Sequence, residues 1–263
     1  MGLVYGTAKI FRDLCSDYKL TGALATLGHQ RVLLTSLQVQ RLFEIDRFTG
    51  KTQFSMEFHK RWQREFIDSR DFFGRCGFDL IDEFDVSSYE GANVPLDLNR
   101  LETPAACIGL YDLVFDGSTI EHIFCVTNAI SHLVRMTRLG GCILHISPCN
   151  NFVNDGFFQF SPCFFSEFYE ANGFKIESIY FHQQEIVQKA DGDGVVFETT
   201  DSLIRMQDVE WTSDNPLVPA PTVNIGQPTQ LVVLARKVNA FAEIRIPNQR
   251  RYASKSYWNE GLT

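Results

Sequence analysis

Apolar residues in this chain come in two arrangements. Short apolar runs (Thr21 to Leu27, Leu113 to Phe115, Cys142 to Ile146 and Leu231 to Ala235) stand between polar residues or glycines, and the mixed stretch 78–86 reads as a second strand ending on Asp85. Such runs predict strands buried on both faces of a parallel sheet. Between them, apolar residues recur at helical spacing: Leu37, Leu42, Ile45 and Phe48; Trp62, Phe66, Ile67 and Phe73; Val126, Ala129, Ile130, Leu133 and Val134. Strands alternating with helical stretches predict an α/β sheet with helices on both faces.

The remaining elements follow from local signals. A first helix is expected around Ile10 to Tyr18, and another from His59 to Phe73, ended near Gly74–Gly77. With the helix over residues 36–48, this makes residues 36–76 a helical insertion or lid. Pro95 shortens a third strand over Val94 to Asn99. Ser118 and Glu121 have the spacing of a capping box ahead of the next helix, which Gly140-Gly141 should stop. Ser161-Pro162 opens a further helix ended by Gly173, and Phe174 to Phe181 alternates as a strand. Residues 182–228 read as a polar insertion before the last strand, with turns at 191–194 and 216–221. The tail, from Ile246 on, is polar with aromatics and is expected to lie across the surface.

At 263 residues, 44% of them hydrophobic, the chain can bury one sizeable core, and residues 1–263 read as a single domain. A formal charge of -8 argues against a nucleic-acid partner. No apolar run reaches the roughly 20 residues of a membrane helix, and the start of the chain lacks the pattern of a secretory signal. The seven cysteines are scattered without a CxxC pair. That predicts cytoplasmic thiols, with neither a disulfide framework nor a metal site.

Strand ends carry the candidate chemistry. Asp116-Gly117 closes the run that includes Leu113 to Phe115, placing a carboxylate and open backbone where open α/β sheets bind ligands. Asp85 ends the second strand, where an acid can accept from both hydroxyls of a ribose. Just past Asp116, His122 could take a proton from an acceptor. Its neighbour Glu121 reads equally well as the capping partner of Ser118. His145, in mid-strand, reads as a hydrogen-bonded core histidine. The loop carrying Asn150, Asn151, Asp155, Gly156, Phe158 and Gln159 mixes amide, acid and aromatic groups that could wall a small polar substrate. Neither GxSxG nor GxxxxGK[ST] is present.

The block YDLVFDGSTIEHIF, then a helical run, then LGGCILHISPCNNFVNDGFFQFSP resembles the fourth strand through the post-fifth-strand loop of class I S-adenosylmethionine (SAM) methyltransferases. More narrowly, it resembles a bacterial methyltransferase-like group with FDGxTxEH and GFxQFSP segments. The similarity runs from about Gly22 to Trp258. It implies a Rossmann-like fold whose mostly parallel, seven-stranded sheet has an antiparallel last strand. It also implies SAM as cofactor, held by the turn Leu27-Gly28-His29-Gln30, by Asp85 at the ribose, by Asp97 and Leu98 at the adenine edge, and by Asp116 and Gly117. That turn holds one glycine where the family pattern has two or three. The implied activity is methyl transfer to a small-molecule, sugar or peptide-like acceptor, with His122 and Glu121 catalytic and Asn150, Asn151, Phe158 and Gln159 on the acceptor. A non-catalytic methyltransferase-like binding protein and a nicotinamide-dependent oxidoreductase are the alternatives. The GxGxxG that the latter requires is missing after the first strand.

Overall fold

The computed structural model describes residues 2–47, 49–54, 65–191, 194–206, 227–240 and 243–249. Its strands are β1 (Gly2–Leu3), β2 (Gly22–Leu27), β3 (Arg31–Val32), β4 (Thr52–Phe54), β5 (Glu65–Ile67), β6 (Phe78–Asp85), β7 (Val94–Pro95), β8 (Tyr111–Gly117), β9 (Thr137–Asn150), β10 (Phe174–Asp191), β11 (Gly194–Arg205) and β12 (Thr229–Lys237). Its helices are α1 (Tyr5–Asp17), α2 (Ser36–Phe43), α3 (Ser69–Arg75), α4 (Val126–Met136) and α5 (Pro162–Ala171).

Eight strands form the main sheet, in the order β11-β10-β12-β9-β8-β2-β6-β7. Neighbours from β7 through β9 pair in parallel, while β12 runs antiparallel to both β9 and β10. This is a Rossmann-like, doubly wound arrangement, with a reversed strand inserted near one edge. Alternate residues of the central strands feed two cores. On one face Val114, Ile143, Leu231 and Val233 pack with α4 and α5. On the other, Leu113, Phe115, Leu144, Val232 and Leu234 pack with α1, α2 and α3. That period-2 division is what covers both faces with helices.

Several expectations are corrected. The sheet has eight strands rather than seven, because β10 continues past Phe181 to Asp191 and pairs there with antiparallel β11. The stretch read as polar insertion is therefore partly strand, and its remainder, residues 207–226, lies outside the described residues along with the tail beyond 249. The expected helix from His59 falls largely outside them as well; where described, Glu65–Ile67 is a strand paired with β4, and the helix is α3. Val39, Leu42, Phe72 and Phe73 of this region are core residues. The third strand shrinks to Val94–Pro95, as the missing Pro N–H suggests. Helix α4 ends at Met136 rather than at Gly140-Gly141, which lie within β9. Among the described residues no helix is long and apolar enough to cross a membrane.

Candidate functional site

From β2 the chain adds β6 and β7 on one side, then crosses back to add β8 and β9 on the other. The reversal falls at the carboxyl ends of β2 and β8, the place where open α/β sheets bind ligands. The turn after β2 is drawn onto β8 there. Thr119 Oγ1 donates to the Leu27 carbonyl at 2.7 Å, and Gln30 Nε2 donates to the same oxygen at 2.7 Å. A Cβ on Gly117 would stand 2.3 Å from Gln30 Oε1, so the Gln30 amide packs onto β8 only because that residue is glycine. Gln30 is buried, and its Oε1 has no hydrogen-bond partner among the described residues. An orphaned acceptor buried at a strand end costs stability unless a donor arrives.

Asp85 stands at the adjoining strand end. Its Oδ1 accepts from Ser87 N at 3.3 Å, and its Oδ2 lies 3.9 Å from where a Gly28 Cβ would be. The structure thus brings Gly28, Gln30, Gly117 and Asp85 together. Asp97 and Leu98 lie just past β7, with Leu98 buried. Asp97 accepts from Asn99 N at 3.0 Å and pairs with Arg100 at 3.3 Å. The Asn99 backbone bond is the main cause holding its carboxyl below the usual value. His29 points elsewhere: its Nδ1 pairs at 3.0 Å with the buried Glu83, which also accepts from Ser69. Only the backbone of His29 belongs to the turn.

Asp116 requires a correction. Its side chain is fully buried and saturated rather than facing a ligand. Oδ1 accepts from Thr119 N at 3.0 Å and Ile120 N at 3.2 Å, so Asp116 caps the turn that the sequence assigned to Ser118 and Glu121. Oδ2 accepts from His145 Nδ1 at 2.7 Å and Ser147 Oγ at 3.0 Å. His145 is its cross-strand partner in β9, and His145 Nε2 receives the Tyr169 hydroxyl at 2.5 Å. Burial, followed by the Asp116 charge, pushes the Tyr169 phenol well up, which keeps it a donor. His145 is the satisfied core histidine expected from its mid-strand position.

The proposed capping box fails for a long-range reason. Ser118 adopts a left-handed φ of 60° and donates its hydroxyl to the Ile146 carbonyl at 3.0 Å. Glu121, on the short 3-10 turn Ile120–His122, is left without a capping role. It is fully buried, yet neither carboxylate oxygen has a hydrogen-bond partner among the described residues. Burial first and the Asp116 charge second push its carboxyl up to about 8. The Ser118 hydroxyl lies close enough to offset this in part, although it donates to Ile146 instead. His122 is partly exposed, and its Nε2 stands 3.9 Å from Glu121 Oε1.

The loop after β9 lies against this turn, as the adjacency of β8 and β9 requires. The Glu121 carbonyl accepts from Phe157 N at 2.8 Å and from Phe158 N at 3.3 Å. A Cβ on Gly156 would stand 2.9 Å from the Glu121 carbonyl oxygen and 3.0 Å from its Cγ, so only glycine permits this approach. Asp155 is thereby carried over the pair, and ligand atoms of Glu121, His122 and Asp155 lie within 4.8 Å of one another. The sequence put Asp155 in this loop without linking it to Glu121; only strand adjacency could have done so. Asn151 Nδ2 donates to the Gln227 carbonyl at 3.1 Å, and Gln159 Oε1 accepts from Phe152 N at 3.0 Å, so both brace the loop. Asn150 ends β9 opposite Thr229, and Phe158 packs against the core beside Phe160. Phe124 and Phe157 form an exposed edge-to-face pair with centroids 5.5 Å apart. A cavity of about 780 Å³ lies between α4, α5 and residues 243–249.

No family model matches the sequence, and no curated protein matches it. Solved structures resemble the fold. A protein from Bacillus halodurans C-125 described as a candidate methyltransferase aligns at 10% identity and a TM-score of 0.45, covering 86% of this chain and 98% of its own. A SAM-dependent methyltransferase from Mesorhizobium loti aligns at 12% identity and 0.41, covering 85% and 96%. The Burkholderia thailandensis 1,6-didemethyltoxoflavin-N1-methyltransferase, with bound 1,6-didemethyltoxoflavin and S-adenosylhomocysteine, aligns at 9% identity and 0.40, covering 88% and 79%. At this distance the likeness assigns no activity to the chain.

Proposed function

We propose that the chain is a SAM-dependent methyltransferase acting on a small-molecule, sugar or peptide-like acceptor. The observation that carries this reading is a pair of acceptors at the strand-order reversal: the buried, unpaired Gln30 Oε1 and the Asp85 carboxylate, whose Oδ2 has no partner among the described residues. The amino acid end of SAM offers an ammonium and its ribose offers two hydroxyls, so the donors of the cofactor answer the acceptors at these strand ends. Leu27, Gly28 and the His29 backbone would line the amino acid end with Gly117. Asp85 would take the ribose, and Asp97 with Leu98 the adenine edge. Asp116 acts through the groups it positions, Thr119 and the β9 backbone beside it.

SAM supplies an electrophilic methyl group on a sulfonium. The chain's own part is to orient an acceptor, exclude water and accept a proton. His122 is the candidate base, exposed on the side from which an acceptor arrives, with the buried Glu121 carboxyl 3.9 Å from its Nε2. Phe124 and Phe157 offer exposed aromatic faces beside His122 for a planar or sugar-like acceptor. Asn150, Asn151, Phe158 and Gln159 shape the loop around it. The non-catalytic alternative predicts SAM binding without transfer.

Calorimetric titration tests the reading. SAM should bind the wild type, and Asp85→Ala should weaken it by about 1.5–3 kcal/mol, the range for hydrogen bonds to a charged group. Once an acceptor is in hand, His122→Asn should keep SAM affinity and lower single-turnover transfer roughly 10²–10⁴-fold. Equal turnover would return His122 to a packing role.

A further inference from the structure

We infer that Glu121, His122 and Asp155 form a binding site for a divalent transition-metal cation of the Zn²⁺ or Mn²⁺ class beside the carboxyl end of β8. The three side chains offer two carboxylates and one imidazole, a mixed oxygen and nitrogen set that suits such ions. Their ligand atoms already lie within 4.8 Å of one another, and the Glu121 Oε1 to His122 Nε2 separation is 3.9 Å. A metal held at about 2.0–2.2 Å by each ligand sets the ligand atoms about 3–3.5 Å apart, so the cluster must close by roughly an ångström at its widest. Asp155, on an exposed loop, can supply that movement.

A second observation separates this cluster from a chance meeting of surface charges. Glu121 is completely buried, neither of its oxygens has a hydrogen-bond partner among the described residues, and Oε1 lies 3.9 Å from His122 Nε2. A buried carboxyl without donors either holds its proton or takes a ligand that supplies the missing interaction, and a metal cation does so by displacing that proton. A third is the close contact that builds the cluster. Gly156 sits directly on Glu121 where no side chain fits, and the Glu121 carbonyl ties down the backbone of Phe157 and Phe158. The loop is thus held where Asp155 covers the buried carboxyl. Three protein ligands leave coordination positions open toward solvent, on the side the proposed function gives to the acceptor; in the metal-loaded chain His122 is a ligand, and its role as base belongs to the metal-free state. That role rests on the methyltransferase reading; the metal site itself rests only on the three side chains.

The test uses the full chain, stripped with a chelator and titrated with Zn²⁺ by calorimetry and with Mn²⁺ by electron paramagnetic resonance. The wild type should bind one ion saturably, and Asp155→Asn and Glu121→Gln should each bind at least about tenfold more weakly. Asp155 lies on an exposed loop, so its variant keeps the test open if Glu121→Gln fails to fold. Absence of saturable binding in the wild type, or equal affinity in Asp155→Asn, overturns the proposal. SAM titration of the same wild-type preparation reports separately. Metal binding without SAM binding would sink the methyltransferase reading alone, and SAM binding without metal binding would sink the metal site alone.

Discussion

Asp116 and Glu121 are both fully buried carboxyl groups just past the centre of the sheet, close enough for one to raise the pKa of the other. Their surroundings are opposite. Asp116 accepts from two backbone amides, an imidazole and a hydroxyl. Glu121 accepts from none of the described residues. A buried carboxylate with all its donors in place ties elements together, whereas a buried carboxyl without them holds its proton and ties nothing. Asp116 joins β8, the turn after it, β9 and, through His145, α5. Glu121 is held by its backbone while its carboxyl lies beside His122. Burial alone therefore does not distinguish an acid that ties elements together from one that does not; its donors do.

The largest effect should come from breaking the satisfied member. Asp116→Ala leaves His145, Ser147 and two amides without their acceptor, and should cost about 3–5 kcal/mol in denaturant unfolding. A loss below about 1 kcal/mol would mean that the network is not structural.

Replacing the unsatisfied member should do the reverse. In metal-free protein, Glu121→Met should raise stability by about 1–3 kcal/mol at pH 8 to 9, because it removes a buried charge and fills similar volume. The sign with pH follows from the raised carboxyl. The folded state keeps a proton up to about 8, while the unfolded chain releases it near 4.5, so wild-type stability falls as pH rises through that window. The advantage of Glu121→Met should therefore shrink as pH drops towards 4.5. A pH-independent difference would contradict the assignment.

Ser147→Ala removes only one of the four donors to Asp116 and should cost about 0.5–1.5 kcal/mol. A double-mutant cycle with Asp116→Ala should show that most of this loss disappears once the acceptor is gone.

The contrast between the two acids also marks the limit of what the sequence carries. Strands β2, β8, β9 and β12 are legible as apolar runs because their central residues are buried on both faces, whereas β6 is legible only as a mixed stretch ending on Asp85. An Asp at a strand end is legible as a candidate, but its use depends on donors that arrive from His145, Ser147 and Tyr169, far along the chain. Ser118 and Glu121 have capping-box spacing, and the backbone of Ser118 breaks it because the hydroxyl finds Ile146 in the neighbouring strand. The β10–β11 hairpin was missed because its polar residues masked the period-2 signal, leaving only the turn at 191–194. The meeting of Asp155 with Glu121 and His122 has no local signal, since Gly156 creates it through a contact between two loops.

Unpaired acceptors also mark the proposed cofactor site, and a SAM titration tests that claim most directly. Calorimetry on the wild type and Asp85→Ala should give one site per chain, with binding about 10–150-fold weaker in the variant, the equivalent of about 1.5–3 kcal/mol. Saturable binding that is equal in both proteins, or no binding to the wild type, would contradict the account.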